Sequence, residues 1–77
     1  MSDRLPRATA KEIIRVLGQK GFLLSRSSGS HHIFKNPAGK RVTVSVHSGK
    51  IISPKVLKSI LYDIDISVAE LKEALKK

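Results

Sequence analysis

Features that define several common protein classes are missing from this chain of 77 residues. It has no cysteine, which excludes disulfide bonds and cysteine-ligated metal clusters. No apolar run approaches the roughly 18 residues that a transmembrane helix requires. The first ten residues hold three charges and a proline, and they lack the apolar core of a signal peptide. We therefore expect one small cytoplasmic domain over residues 1–77, stabilised by compact packing, by a partner, or by both.

Acidic residues are also absent from the middle of the chain. All six lie in the first twelve or the last fifteen residues, and none falls between Ile13 and Tyr62. That central segment contains nine bases, which are Arg15, Lys20, Arg26, Lys35, Lys40, Arg41, Lys50, Lys55 and Lys58. It therefore carries the whole formal charge of +9. So dense a basic field favours a polyanionic partner, most simply nucleic acid, although a soluble lysine-rich surface is the simpler alternative.

Capping signals predict three helices. Thr9-Ala10-Lys11-Glu12 is a capping box that precedes a helical apolar stripe, which predicts a helix over residues 9–20. Ser53-Pro54 predicts the start of a second helix, whose apolar stripe is Val56, Leu57, Ile60 and Leu61. Ser67-Val68-Ala69-Glu70 is a second capping box and predicts a short third helix with two inward residues, Leu71 and Leu75.

Three short strands are predicted between the first two helices, over residues 22–26, 30–36 and 40–46. Phe22 and Leu24 would share one face of the first strand, and residues 27–29 would form the turn that follows it. Residues 36–39, Asn-Pro-Ala-Gly, fit a three-residue hairpin loop with a glycine bulge between the second and third strands. The order of elements predicts an α+β fold: a helix, a three-stranded antiparallel sheet, a second helix and a short C-terminal helix. The two main helices would cover one sheet face.

The hairpin loop sets a strand register that sorts the side chains between two faces. If Asn36 pairs with Lys40, one face is buried and holds His32, Phe34, Val42, Val44 and Val46. The other face is open and holds His31, Ile33, Lys35, Arg41, Thr43 and Ser45. His47 would lie on this open face, diagonal to His31 at roughly 7–8 Å. A slip of one residue would exchange the faces of the second strand.

The three histidines are the candidate catalytic residues, because only histidine titrates near neutral pH when unperturbed. His31 and His32 are strand neighbours, so they point to opposite faces and cannot act together. A zinc or iron site is disfavoured because it needs three or four converging ligands, and the carboxylates lie far along the chain. A pair of Ser30 as nucleophile and His31 as base has the wrong geometry, since adjacent strand residues face apart.

RNA brings its own nucleophile, the 2′-hydroxyl group. Its cleavage needs a base for that proton, a cation near the phosphorane oxygens and a proton for the leaving oxygen. One or two histidines in a basic patch supply all three, and His31 and His47 with Lys35 or Arg41 have the required composition. The alternative is a module that binds structured RNA without chemistry. A third interpretation is a protein-interaction subunit whose basic face binds an acidic partner.

The segment Gly29-Ser30-His31-His32-Ile33-Phe34 resembles the HicA toxin family, whose members are also called YcfA-like proteins. The resemblance runs from about Thr9 to Ser67. Its parts are an apolar helix, a Gly21-Phe22 step, the Gly-Ser-His core, a strand that ends at His47, and a helix that contains Leu57, Ile60 and Leu61. The Gly-Ser-His tripeptide alone is a weak signal. After a helix, a Gly-Phe step and a short strand in a basic chain of this length, it is a specific one.

This resemblance implies a fold similar to the double-stranded RNA-binding domain. It also implies a ribonuclease toxin that cleaves messenger RNA without a metal or other cofactor, and a HicB-type antitoxin as its partner. The catalytic histidine of the family corresponds to His31, and Gly29 and Ser30 shape the turn before it. With that role for His31, phosphate binding is expected from Lys35, Arg41, His47 and Lys50. Family members commonly carry glycine where this chain has Asp65.

Overall fold

The arrangement of helices and strands is the predicted one. The computed structural model describes residues 4–47 and 49–77. Its elements, in chain order, are α1 (Ala10–Gln19), β1 (Leu23–Ser28), β2 (His31–Lys35), β3 (Arg41–Ser45), α2 (Pro54–Ile64) and α3 (Val68–Leu75). The strands form one antiparallel sheet in the order β1-β2-β3, so the fold is α+β. No helix formed by the described residues has the length and hydrophobicity needed to cross a bilayer.

Each helix begins at the capping residue that the sequence predicts. Thr9 and Ser67 both close a capping box with the glutamate three residues further on. Ser53 caps α2 through its hydroxyl, and Pro54 occupies the first helical position, where its missing N–H costs nothing. Because these bonds satisfy backbone donors that a helix start leaves unpaired, the sequence sets these boundaries locally.

α2 ends at a residue in the left-handed conformation. Asp65 has a φ of 58°, and it is the one non-glycine residue with a positive φ in the described part of the chain. Its N–H donates to the carbonyls of Leu61 and Tyr62, which closes the helix end. Asp65 Oδ2 also lies 3.5 Å from Nζ of Lys40, across from the hairpin loop. This conformation suits glycine, which is the residue common at this position in the family that the sequence resembles.

The core lies between the helices and one face of the sheet. Its largest fully buried side chains are Ile13, Val16, Leu17, Val42, Val44, Leu57 and Leu71. α1 and α2 both contact β3, and α3 packs on α1. Arg15 and Gln19 of α1 donate to the carbonyls of Leu75 and Ala74, which lie in the last turn of α3. α3 is therefore held to α1 by apolar packing and by hydrogen bonds.

One expectation about the apolar stripes is wrong, and one apolar residue of β1 is unexpectedly exposed. Val56 was expected in the buried stripe of α2 but is 47% exposed, because the inward positions repeat from Leu57 at helical spacing and leave Val56 at the edge. Leu24 pairs with Phe34, whose side chain is buried, yet Leu24 itself is 54% exposed. The reason is its strand: β1 is the edge of the sheet farthest from β3, where the helices pack.

The register of β2 and β3 is confirmed. Phe34 pairs with Val42 and His32 with Val44, and the N–H of Asn36 donates to the carbonyl of Lys40 at 3.0 Å. Phe34 and both valines are buried, and His32 is partly buried. Both strands are slightly shorter than expected, since regular pairing runs only from the turn before β2 to the loop after it.

The first hairpin differs from the prediction. β1 continues through residues 27 and 28, and the turn consists of Gly29 and Ser30 alone. Gly29 has a φ of 58°, as the first central position of a type II′ hairpin turn requires. The register between β1 and β2 shifts between Leu24 and Arg26, which leaves Ser25 as the extra residue of a β-bulge. The predicted turn of residues 27–29 was wrong. Glycine at the first central position is enough for a two-residue turn, so residues 27 and 28 remain in β1.

Candidate active site

The sheet face opposite the helices is a grid of three rows. In each row the residues of β1, β2 and β3 lie directly opposite one another, about 4.5–5.5 Å apart. From the turn towards the hairpin loop, the rows are Ser28, His31 and Ser45; then Arg26, Ile33 and Thr43; then Leu23, Lys35 and Arg41. We call these nine residues the open face. Three of the predicted site residues, His31, Lys35 and Arg41, lie on it.

His31 is the first residue of β2 and directly follows the two-residue turn. Its side chain is exposed, and its row neighbours are the serines Ser28 and Ser45. A ligand can therefore reach the imidazole from solvent without displacing any element of the fold. The short hydroxyl side chains on either side can donate hydrogen bonds to an anionic ligand.

The turn before His31 is fixed by hydrogen bonds to the carbonyl oxygen of Ser30. The carbonyl of Ser30 accepts the N–H of Val46 at 2.7 Å, which ties the turn to the end of β3. Nδ1 of His32 lies 3.3 Å from the same carbonyl oxygen, a hydrogen bond when Nδ1 is the protonated nitrogen. His32 faces Val44 on the opposite side of the sheet. The two adjacent histidines are thus separated as predicted: His32 supports the turn and His31 is presented to solvent.

Three cations occupy the middle row and the far row of the open face. Arg26, Lys35 and Arg41 line a shallow depression of about 350 Å³, together with Ser25 and Ile33. Within the part of the chain that the structure describes, none of these three cations forms a salt bridge. Their charges are uncompensated by carboxylates and remain available to an anionic ligand.

Arg26 was not among the predicted site residues. Strict strand alternation from the buried Phe22 would direct Arg26 towards the core side of the sheet. The extra residue at Ser25 reverses that alternation, so Arg26 pairs with Ile33 on the open face. No turn or glycine signal in the local sequence marks the bulge. Only the hairpin geometry, worked back from a turn at residues 29 and 30, would have placed Arg26 correctly.

Two more of the predicted site residues, Gly29 and Ser30, form the turn before His31, and the last two, His47 and Lys50, lie beyond the end of β3. β3 ends at Ser45, so the alternation that would set His47 beside His31 stops two residues before it. His47 and Lys50 both line a depression of about 320 Å³ beside the start of α2, and His47 also lines one of about 430 Å³ beside the start of α1. His31 lines neither. The first depression is, however, also lined by Ser45, the row neighbour of His31, so it adjoins the open face.

Metal-ligating side chains do not converge in the described residues. No group of three or more histidine, aspartate or glutamate side chains is placed to hold an ion there. What the open face offers is an exposed imidazole, hydroxyl groups and cations. Such groups can transfer a proton and bind phosphate oxygens.

Comparison with known proteins identifies the family. A family model described as the HicA toxin of bacterial toxin–antitoxin systems matches residues 10–66. The chain belongs to the HicA toxin family. The matched segment covers about three quarters of the chain and includes every residue of the open face, whereas α3 lies outside it. No curated protein matches the chain significantly. As a HicA-family member, the protein has the role of a toxin, which implies an antitoxin as partner.

Proposed function

We propose that this HicA-family toxin is an endoribonuclease that cleaves messenger RNA in the cytoplasm without a metal ion, and that His31 is its catalytic residue. The observation that carries the proposal is the position of His31. It is exposed, it follows a hydrogen-bonded turn, and it shares a sheet face with three cations that lack carboxylate partners. Membership of a toxin family supports a reaction that damages an essential cellular polymer.

The chemistry that fits these groups is transfer of the phosphoryl group within RNA. The 2′-hydroxyl oxygen forms a bond to phosphorus and the bond from phosphorus to the 5′-oxygen breaks. The products are a 2′,3′-cyclic phosphate and a free 5′-hydroxyl group. His31 takes the proton from the 2′-hydroxyl as a base or gives one to the 5′-oxygen as an acid, and water supplies the complementary step. No redox partner is involved.

The remaining residues of the proposed site position either His31 or the RNA. Gly29 and Ser30 hold His31 at the end of the sheet through the turn that they form. Lys35 and Arg41 lie opposite each other, four residues along the strand from His31. At about 3.3 Å per residue this separation is roughly 13 Å, too far for them to bind the phosphate at His31. They would bind a neighbouring phosphate of the same strand.

His47 and Lys50 are proposed to bind RNA in a depression that adjoins the open face at Ser45. They line a shared depression at the start of α2, and both are exposed. Phosphates beyond the cleaved segment could enter this depression as the strand leaves the sheet. Their contribution is expected in affinity rather than in the chemical step.

We further propose that the antitoxin is of the HicB type and covers the open face. The surface around His31 is basic, so an inhibitor that presents acidic groups there, or that mimics RNA, gains favourable electrostatic contacts. Covering His31 would exclude RNA from the proposed catalytic centre.

The deciding experiment is cleavage of a long single-stranded RNA by the purified protein in excess EDTA, beside the His31→Ala variant. We expect the wild type to cleave and the variant to lose on the order of 10²–10⁴ in rate, the contribution typical of one acid or base. Because His31 is exposed, the variant should retain the melting temperature of the wild type. RNA with a 2′-deoxy nucleotide at the cleaved position should resist the wild type.

Two outcomes would contradict the proposal. A folded His31→Ala protein that cleaves at the wild-type rate would remove His31 from the mechanism. RNA that is bound but left intact by the wild type would favour the RNA-binding module without chemistry, which the basic sheet face would serve equally well.

A further inference from the structure

The open face contains one cation whose role neither the sequence motifs nor the family assigns. Arg26 lies in the middle row, opposite Ile33. Its diagonal neighbours on β2 are therefore His31 on one side and Lys35 on the other. Diagonal neighbours in an antiparallel pair lie roughly 7–8 Å apart, which a long side chain spans. β1 and β2 pair regularly from Arg26 to the turn, where His31 lies, because the bulge at Ser25 comes before Arg26 in the chain.

Distance distinguishes Arg26 from the other cations of the open face. Lys35 and Arg41 are roughly 13 Å from His31 along the sheet, whereas Arg26 is about half as far. It is exposed and carries no salt bridge among the described residues, so no carboxylate competes for its guanidinium group. The planar guanidinium can also donate two parallel hydrogen bonds to a phosphate, which lysine cannot.

We propose that Arg26 binds the phosphate located at His31, and that it joins His31 to the Lys35–Arg41 pair in one continuous track for the phosphates of a single RNA strand. The proposal rests on the proposed nuclease function and identifies a further residue of its centre. The β-bulge at Ser25 makes this phosphate contact possible, because it turns Arg26 from the core side to the open face. Charge that develops on the phosphorane oxygens would be stabilised by the guanidinium.

The first test measures binding, so that it does not depend on cleavage. A DNA oligonucleotide lacks the 2′-hydroxyl group and cannot be cleaved by the proposed chemistry. Its affinity is measured against salt concentration for the wild type, Arg26→Ala, Arg26→Lys and Lys58→Ala. Lys58 is an exposed cation of α2, on the other side of the sheet, so its loss is a matched control for net charge.

The expected result is a change in the salt dependence. Each phosphate contact on a single strand contributes about −0.7 to the slope of log K against log salt concentration. Arg26→Ala should therefore have a slope shallower by about 0.7, while Arg26→Lys and the Lys58→Ala control keep the wild-type slope. An Arg26→Ala protein with the wild-type slope would overturn the proposal.

The second test measures cleavage at saturating RNA. Arg26→Ala should cleave roughly 10²–10³-fold more slowly than the wild type, Arg26→Lys should recover part of that loss, and Lys58→Ala should cleave normally. A shallower slope in Arg26→Ala with normal cleavage would move Arg26 to a flanking phosphate and overturn its contact at His31. If the wild type cleaves no RNA, the nuclease proposal fails, and the salt slope alone still decides whether Arg26 binds phosphate.

Discussion

Replacement of Gly29 by alanine tests whether the turn before His31 positions the proposed catalytic residue. Gly29 has a φ of 58°, a region that costs an L-residue about 1–2 kcal/mol. Beyond Gly29 and its two chain neighbours, no atom lies within 4 Å of the position that a Cβ would take there, so the cost is backbone strain without a steric clash. The chain can absorb that strain by rotating the turn, which would move His31, the next residue but one.

Gly39 provides a matched control. It also has a positive φ, of 89°, and a Cβ added there would again meet no atom within 4 Å, but it lies in the hairpin loop at the far end of β2. Gly29→Ala and Gly39→Ala should therefore lose similar stability, with melting temperatures lower by about 4–16 °C. A chain of 77 residues is expected to have a free energy of unfolding of about 4–12 kcal/mol, so both variants remain folded at 25 °C.

The two variants should differ in activity. At 25 °C, Gly39→Ala should cleave RNA at close to the wild-type rate. Gly29→Ala should be slower by roughly 10²-fold, the loss expected when a catalytic group is displaced by about 1 Å. Thermal melts and initial cleavage rates in EDTA measure both quantities on the same samples. Equal cleavage by the two variants would refute a positioning role for the turn, and a Gly29→Ala protein as stable as the wild type would refute the strain argument.

Two further predictions concern stability and are checked by urea denaturation. Leu57→Ala should lower the free energy of unfolding by about 2–5 kcal/mol because Leu57 is only 1% exposed, whereas its neighbour Val56 is 47% exposed and Val56→Ala should cost far less; equal losses would show that α2 is rotated from its described position. Ser67→Ala should cost about 1 kcal/mol because it removes the hydroxyl that accepts the N–H of Glu70, while Ser59→Ala, at an exposed position inside α2, should be nearly neutral. A loss at Ser59 as large as that at Ser67 would contradict the capping argument.

The helices were predictable because their boundaries depend on local chemistry. A hydroxyl at Thr9, Ser53 or Ser67 satisfies backbone donors a few residues away, whatever the rest of the fold does. The same holds for the loop after β2, where proline and glycine occupy the positions that their φ angles favour. That loop in turn sets the register that separates His31 from His32. The position of His31 on the open face therefore follows from short-range rules.

The edge strand β1 was less predictable. Its residues are all exposed, so no pattern of burial marks its faces or its ends. Its two extra residues and its bulge arise from pairing with β2, which is a contact between strands and leaves no signature in the segment itself. Arg26 takes its position on the open face from that pairing, which is why the sequence did not assign it to the site.

Sequence was sufficient for the helix starts, the α+β order, the basic character of the middle of the chain and the exposure of His31, because each depends on neighbouring residues or on composition. Tertiary structure was needed to bring Arg26 onto the face of His31 and to place His47 and Lys50 in a depression beside the start of α2. The first placement depends on the bulge in β1, and the second on where β3 stops pairing, at Ser45. Strand pairing ends where the neighbouring strand turns away. That point depends on both strands together, so neither segment of sequence predicts it alone.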